Sequence, residues 1–233
     1  MGFQQTVNLT QAFGVQGEII YDGPVRSNPW QLISTPQANI IGATAYTITS
    51  PGTDTGSGTA QAGSGGTGFA GVLAAPKSYA NFSGSLAPTL TLPDDTIGEL
   101  VTMGTINLLL GNIANPGDLL YYDNTTGALG SIAPITSFTG VIAVTTGILT
   151  TSALTSGAVY AGMPLSGAGV PPGTIVTTNI DATHWNTNII TAVASTVMTG
   201  PSAAPAGKSF VPHGKVILRQ SAANGIAICE LTD

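Results

Sequence analysis

The sequence predicts an all-β protein: a β-barrel or sandwich host domain carrying a small inserted β-sandwich-like module. Three observations carry that prediction. Helical periodicity is almost absent over 233 residues, short runs rich in Val, Ile, Thr and Tyr recur, and 31 glycines and 15 prolines punctuate them. Many short strands broken by frequent turns are the pattern of barrels and sandwiches.

Taken in order, "VNLTQAFGVQGEIIYDGP" alternates apolar and polar residues and ends in a Gly-Pro turn. The β-branched and aromatic run "NIIGATAYTIT" follows and leads into "SPGTDTGSGTAQAGSGGTG", 19 residues with little to bury, which reads as an exposed loop or tip. "FAGVLAAPKSYANF", "LTL", "ELVTMGTINLLL" and "GDLLYYDNTTGALGSI" read as further strands separated by Gly, Pro and Asn turns. The one helical candidate is a short turn near Asp94–Leu100, where "LPDDTIGEL" places acids at a helix start.

After "GALGSIAP" the composition shifts. From Ile135 to Gly200 there is no Lys or Arg, and Asp181 is the only acid. The stretch divides into "FTGVIAVTT", "ILTTSALT", "GTIVTTNI" and "NIITAVAST", with turns between them. Alternation then returns in "KVILRQSAANGIAICELTD", where Val216, Leu218, Ile226 and Ile228 suit one buried face and "SAANG" the hairpin turn. The parse is a host domain of residues 1–134 plus 201–233, interrupted by a module of residues 135–200.

Composition narrows the function. Only 7% of residues are charged, against about 25% in ordinary soluble domains, so the surface suits burial against neighbouring copies more than free diffusion. The net charge is −6, and Arg26, Lys77, Lys208, Lys215 and Arg219 are scattered along the chain. No basic stripe exists to neutralise phosphates, so neither nucleic acid nor an anionic membrane is an expected partner. Cys229 is the only cysteine, which rules out an intrachain disulfide and suits a small buried hydrophobe. The start "MGFQQTVNLTQ" shows no secretory signal, although it fits the loose Met-Gly-x-x-x-Thr acylation pattern. "INLLLGNIA" is too short to span a bilayer.

Chemistry-bearing residues are few. His184 in "DATHWNTN" and His213 in "FVPHGKV" both read as turn residues, and no Gly-x-Ser-x-Gly elbow accompanies them. Asp94, Asp95 and Glu99, and Asp118 with Asp123, lack the spacing of a calcium loop and read as caps and turn formers. The sequons at Asn8, Asn81 and Asn124 are what a Ser/Thr-rich chain produces by chance. Trp30 reads as a core or subunit-interface anchor. The glycine-proline stretch "GMPLSGAGVPPGTIV" superficially suggests a phosphate loop. However, it leads into a strand, and Pro171 and Pro172 remove amides that a phosphate would need, so it reads as a rigid corner. No catalytic, cofactor-binding or metal-binding residue is assigned, and the chain is not read as an enzyme.

The ordered pattern "FQQTVNLTQAFGVQGEIIYDGPVR", "GATAYTIT", "FAGVLAAPKSYA", "GELVTMGTI", "GDLLYYDNTTGALGSIAP" and "APAGKSFVPHGKVIL…GIAICEL" resembles the cement, or capsid decoration, proteins of tailed bacteriophages. The interrupting part resembles a small module of phage and bacterial surface proteins, marked by "GMPLSGAGVPPGTIVT" and a closing strand "NIITAVASTVMT". The resemblance implies a non-enzymatic homo-oligomer (dimer or trimer) on the outer surface of the capsid. There it would clamp adjacent major capsid proteins against internal DNA pressure. The arm Gly2–Thr10 and the loop at residues 51–68 are the expected contacts. The alternative is a head fibre or adhesin whose module binds host-surface glycans through Tyr160 and Trp185.

Overall fold

One long strand organises the molecule. The computed structural model describes residues 14–20, 23–52, 58–63, 68–75, 90–218 and 222–232, and within them it contains strands and turns but no helix. The strands run β1 (Ile19–Ile20), β2 (Arg26–Ile33), β3 (Asn39–Ile40), β4 (Ala45–Ser50), β5 (Thr59–Ala62) and β6 (Phe69–Leu73). Then come β7 (Thr91–Leu92), β8 (Ile97–Leu110), β9 (Leu119–Asp123) and β10 (Leu129–Ile132). The run from β11 (Ile135–Ile142) continues through β12 (Ile148–Ser156), β13 (Ser166–Gly167), β14 (Val176–Asn179), β15 (His184–Thr187) and β16 (Val193–Pro201). The chain ends with β17 (Lys208–Leu218) and β18 (Gly225–Leu231).

β8 has 14 residues and serves two sheets at once. Its first half pairs with β2, from Ile97 opposite Gln31 to Met103 opposite Arg26, and with β6 at Leu100 and Val101. The order β8-β2-β5-β4-β6 therefore returns to β8 and closes a five-stranded barrel. Inside it lie Leu32, Tyr46, Ala60, Ala62, Leu73 and Leu100. The second half pairs with β18 in continuous register, Gly104 opposite Leu231 through Leu110 opposite Gly225. From there β18, β17, β9 and β10 form a half-barrel around Ile106, Leu108, Leu120, Val216 and Cys229. In the second half of β8, Ile106, Leu108 and Leu110 are buried on one face while Asn107 is buried and Leu109 half-buried on the other, which is why "INLLLG" runs without alternation.

The two cores also touch through the β9–β10 turn. Gly127 (φ 73°) and Gly63 (φ 68°) meet back to back, and a Cβ on Gly63 would lie 2.2 Å from the Gly127 nitrogen. Only residues without a side chain, and free to adopt a left-handed φ, allow that approach.

Residues Ile135–Pro201 build a separate six-stranded sheet, ordered β13-β16-β11-β12-β15-β14. Along β11 every second residue (Thr136, Phe138, Gly140, Ile142) is buried, the period of a half-buried strand. Phe138, Ile142, Leu149, Met163, Leu165, Val176, Val193 and Met198 form its core. The glycine-proline stretch closes this sheet on itself. A bridge joins Pro164 to Ile175. Beside it the Leu165 amide donates to the Thr174 carbonyl, the Val176 amide to Met163 and the Gly162 amide to Val176, at 2.9, 2.9 and 2.7 Å. The corner reading holds, and the corner is also the seam of a barrel.

Four local expectations are corrected. In the last hairpin, Ala227, Cys229 and Leu231 are buried with Val216, whereas Leu218 is exposed and Ile226 and Ile228 are half-buried. The segment read as a long exposed loop contains β5, whose Ala60 and Ala62 are fully buried between β2 and β4. Its inward residues are alanines, so no hydrophobic alternation betrays it. The helical turn at Asp94–Leu100 is a tight turn, with Asp95 at φ 57°, and it feeds straight into β8. His184 begins strand β15, and His213 lies within β17, where a break in register between Phe210 and Lys215 absorbs the expected turn.

Leu100→Ala is expected to destabilise the β8 core by about 2–5 kcal/mol, and Phe138→Ala the six-stranded barrel by about 3–5 kcal/mol. Chemical denaturation followed by residue-resolved hydrogen exchange should place each loss in its own core.

Candidate functional surface

The titratable groups are occupied with holding turns. Asp94 accepts the Ser34 amide at 2.6 Å, which holds its carboxyl below the usual range, and Asp95 accepts the Gln31 side chain at 3.0 Å. Asp118 caps the Asn115 amide at 2.8 Å. Asp123 accepts the Thr126 and Thr125 amides, both at 2.9 Å, and its carboxyl is likewise lowered. These are the capping roles read from the sequence. Lys208 stands 3.8 Å from Asp123 and 5.0 Å from the Tyr121 ring centroid, and Lys215 pairs with Glu230 at 2.8 Å.

Among the described residues, Asp181 and His184 form the one acid–imidazole pair. The Asp181 carboxylate accepts the Thr183 amide at 2.8 Å and the His184 amide at 2.9 Å, and meets His184 Nδ1 at 2.8 Å. The Thr183 hydroxyl sits 3.1 Å from the same Nδ1. A hydrolytic triad needs acid and nucleophile on opposite ring nitrogens. Here both crowd one nitrogen, which is the geometry of a capped turn.

Other singled-out residues are structural. The Cys229 thiol is fully buried, and burial pushes its pKa up to about 12. Trp30 is half-buried against the five-stranded core, its ring filling the space beside Gly58. Tyr160 and Trp185, considered as sugar platforms, pack against the core of the six-stranded barrel. Asn124 lies in the β9–β10 turn. Gly2–Thr10, Asn8, Lys77, Asn81, Arg219 and, within the 51–68 loop, residues 53–57 and 64–67 lie outside the described residues.

The surface itself is the informative feature. Thirteen large hydrophobics are exposed among the described residues, and eight of them (Ile135, Val141, Val144, Leu154, Ile175, Ile180, Ile190 and Val197) lie in the six-stranded barrel. That barrel's only formal charge is Asp181. Sequence reasoning missed these positions individually, because Val144 and Ile190 sit in turns where an apolar residue has no pattern to stand out from. Exposed apolar side chains on a barrel with a single formal charge suit contact with other protein surfaces.

Fold and surface together define an all-β protein of strands and turns, poor in charge, with apolar side chains exposed on its smaller barrel. The particular family follows from comparison: the chain belongs to the phage cement family, described as structural cement protein (E217 gp24/Pam3 gp6), which matches residues 3–232. It is a structural cement protein of a phage capsid. Nothing in the match favours the adhesin alternative. No curated protein matches the sequence.

The Asp181 carboxyl is held at about 2, against 3.8 in the unfolded chain, chiefly by the Thr183 amide and then by His184. A depressed carboxyl stabilises the fold above its unfolded pKa, and that contribution is lost as pH falls through the folded value. The 181–184 turn should therefore loosen between about pH 4 and pH 2. NMR titration should show this loss, and Asp181→Ala should abolish it.

Proposed function

We propose that the protein binds the outer surface of the capsid and bridges adjacent major capsid proteins, resisting the pressure of packaged DNA as a dimer or trimer. The observation that carries this reading is the family match over nearly the whole chain, joined to a fold rich in rigid strands and poor in charge. A cement needs no reaction. It binds the assembled shell and not the separated subunits, and so shifts the equilibrium toward the shell. Many weak contacts repeated around the shell multiply. No catalytic role enters this reading.

Within that function, residues 1–134 plus 201–233 are the capsid-binding domain and residues 135–200 an outward module. Support comes from the separate core of the six-stranded barrel and from its point of attachment. The Ser202 amide donates to the Pro134 carbonyl at 3.0 Å, so the two connecting strands lie side by side. The Thr136 and Ser202 hydroxyls hydrogen-bond at 3.1 Å just above that point. The arm Gly2–Thr10 and the 51–68 segment around β5 are the proposed shell contacts.

Purified protein added to expanded capsids lacking it is expected to bind saturably and to raise the capsid melting temperature. Absence of binding would overturn the proposal. Because Pro134 and Ser202 are adjacent, a short linker can replace residues 135–200. The shortened chain is expected to retain capsid stabilisation, whereas loss of it in a folded variant would assign shell contacts to the barrel.

A further inference from the structure

Among the described residues, the six-stranded barrel and the larger sheet system share no strand and no core residue. The chain passes between them twice, at Pro134 and at Ser202. The ladder between β11 and β16 runs to its last rungs there, with Thr136 opposite Gly200 and Ile135 opposite Pro201. The Ser202 amide adds one rung beyond them by donating to the Pro134 carbonyl at 3.0 Å. Two strands alone make a poor strut. A two-stranded ribbon twists over a wide range, and without further packing it is only marginally stable.

A third segment braces this neck, and one hydroxyl ties it in. The chain leaves β12 through Gly157 and Ala158, which lie against Thr136. The Thr136 hydroxyl oxygen accepts the Ala158 amide at 3.2 Å, and its O–H donates to the Ala158 carbonyl at 3.2 Å. The Ser202 hydroxyl lies 3.1 Å from the same oxygen. A hydroxyl offers one donor and two acceptor sites. The Ala158 carbonyl takes the donor and the Ala158 amide one acceptor site, so Ser202 donates to the second. Every hydrogen-bonding site of Thr136 is then filled.

Thr136 is fully buried and Ser202 is 8% exposed. Water does not compete for these bonds, and a partner that is removed is not replaced. Gly157, at φ 71°, permits the close approach, because a side chain there would collide with the Thr136 oxygen.

We propose that the Thr136–Ser202 hydroxyl pair is a clamp that fixes the direction of the six-stranded barrel on the domain that carries it. Thr136 and Ala158 belong to the barrel, and Ser202 belongs to the strand that leaves it. Their bond therefore crosses the neck. Without it the brace still grips β11 but no longer grips the departing strand. The barrel is then free to hinge about the Pro134–Ser202 rung, where a few linker residues absorb the motion. The clamp goes beyond the cement reading and does not depend on it. On a shell, it would make each copy present its barrel at one angle.

The test measures the spread of that angle. Ile113→Cys in the β8–β9 connection and Ile190→Cys in the barrel replace residues 53% and 68% exposed and so accept nitroxide labels, whereas the native Cys229 is fully buried. Double electron–electron resonance on labelled chain diluted with unlabelled chain reads the distance between the two labels within one copy. One narrow distance is expected for the parent and for Thr136→Ser, which keeps the hydroxyl. Ser202→Ala and Thr136→Val are expected to lose the narrow peak and give a broad one. Hydrogen exchange at Phe138 and Met198 separates a swinging barrel from an unfolded one. If Thr136→Val does not fold, Ser202→Ala decides, since it leaves the bonds between Thr136 and Ala158 in place. A broad distribution in the parent or in Thr136→Ser, or a narrow one in Ser202→Ala, would overturn the proposal. The labels report the attachment whether or not the chain binds a capsid, so capsid binding by the same preparations judges the cement reading separately.

Discussion

Everything in the larger sheet system depends on β8 being paired along its whole length by different partners. A strand of 14 residues is far longer than the usual five or six. It avoids exposing a hydrogen-bonding edge only because β2 and β6 take its first half and β18 and β1 its second. The closed barrel and the half-barrel therefore share one backbone ladder, and neither core can shift register without dragging the other. A one-residue slip would turn Leu100 outward in one core and Leu108 outward in the other.

The same avoidance of open edges explains the smaller barrel. Its first and last strands in sheet order, β13 and β14, are two and four residues long. They would leave edges free for unwanted pairing. The hairpin from Met163 to Val176 joins them, so the two ends of the sheet bond to each other. Pro171, Pro172 and the glycines around them are the residues that let a chain turn this sharply and then hold the turn. A chain with so little charge cannot use lysines to guard its edges, and closure does that work instead.

The all-β class, the order of most strands and the seam corner were legible because alternation and turn chemistry are local signals. Three features were not. β5 was hidden because "TAQA" buries alanines, whose small size erases the contrast between inside and outside. β15 was hidden because Asp181 does cap a turn, as the sequence suggests, but the strand begins at the last capped residue, His184. The pairing of β8 with β18 joins residues more than a hundred positions apart, and no local pattern encodes that. The exposed apolar positions of the six-stranded barrel were the least legible part. They stand where polar residues would be ordinary, so they can be recognised only once exposure is known.

The register of β18 against β8 has a further consequence, for the order in which the chain is made. The half-barrel cannot close until Gly225–Leu231 have left the ribosome, because they alone complete the ladder along Gly104–Leu110. The six-stranded barrel needs nothing beyond Pro201. It is thus complete while the half-barrel still lacks its last strand. The newborn protein holds its finished ornament before it has a finished base, and its last strand is the latch.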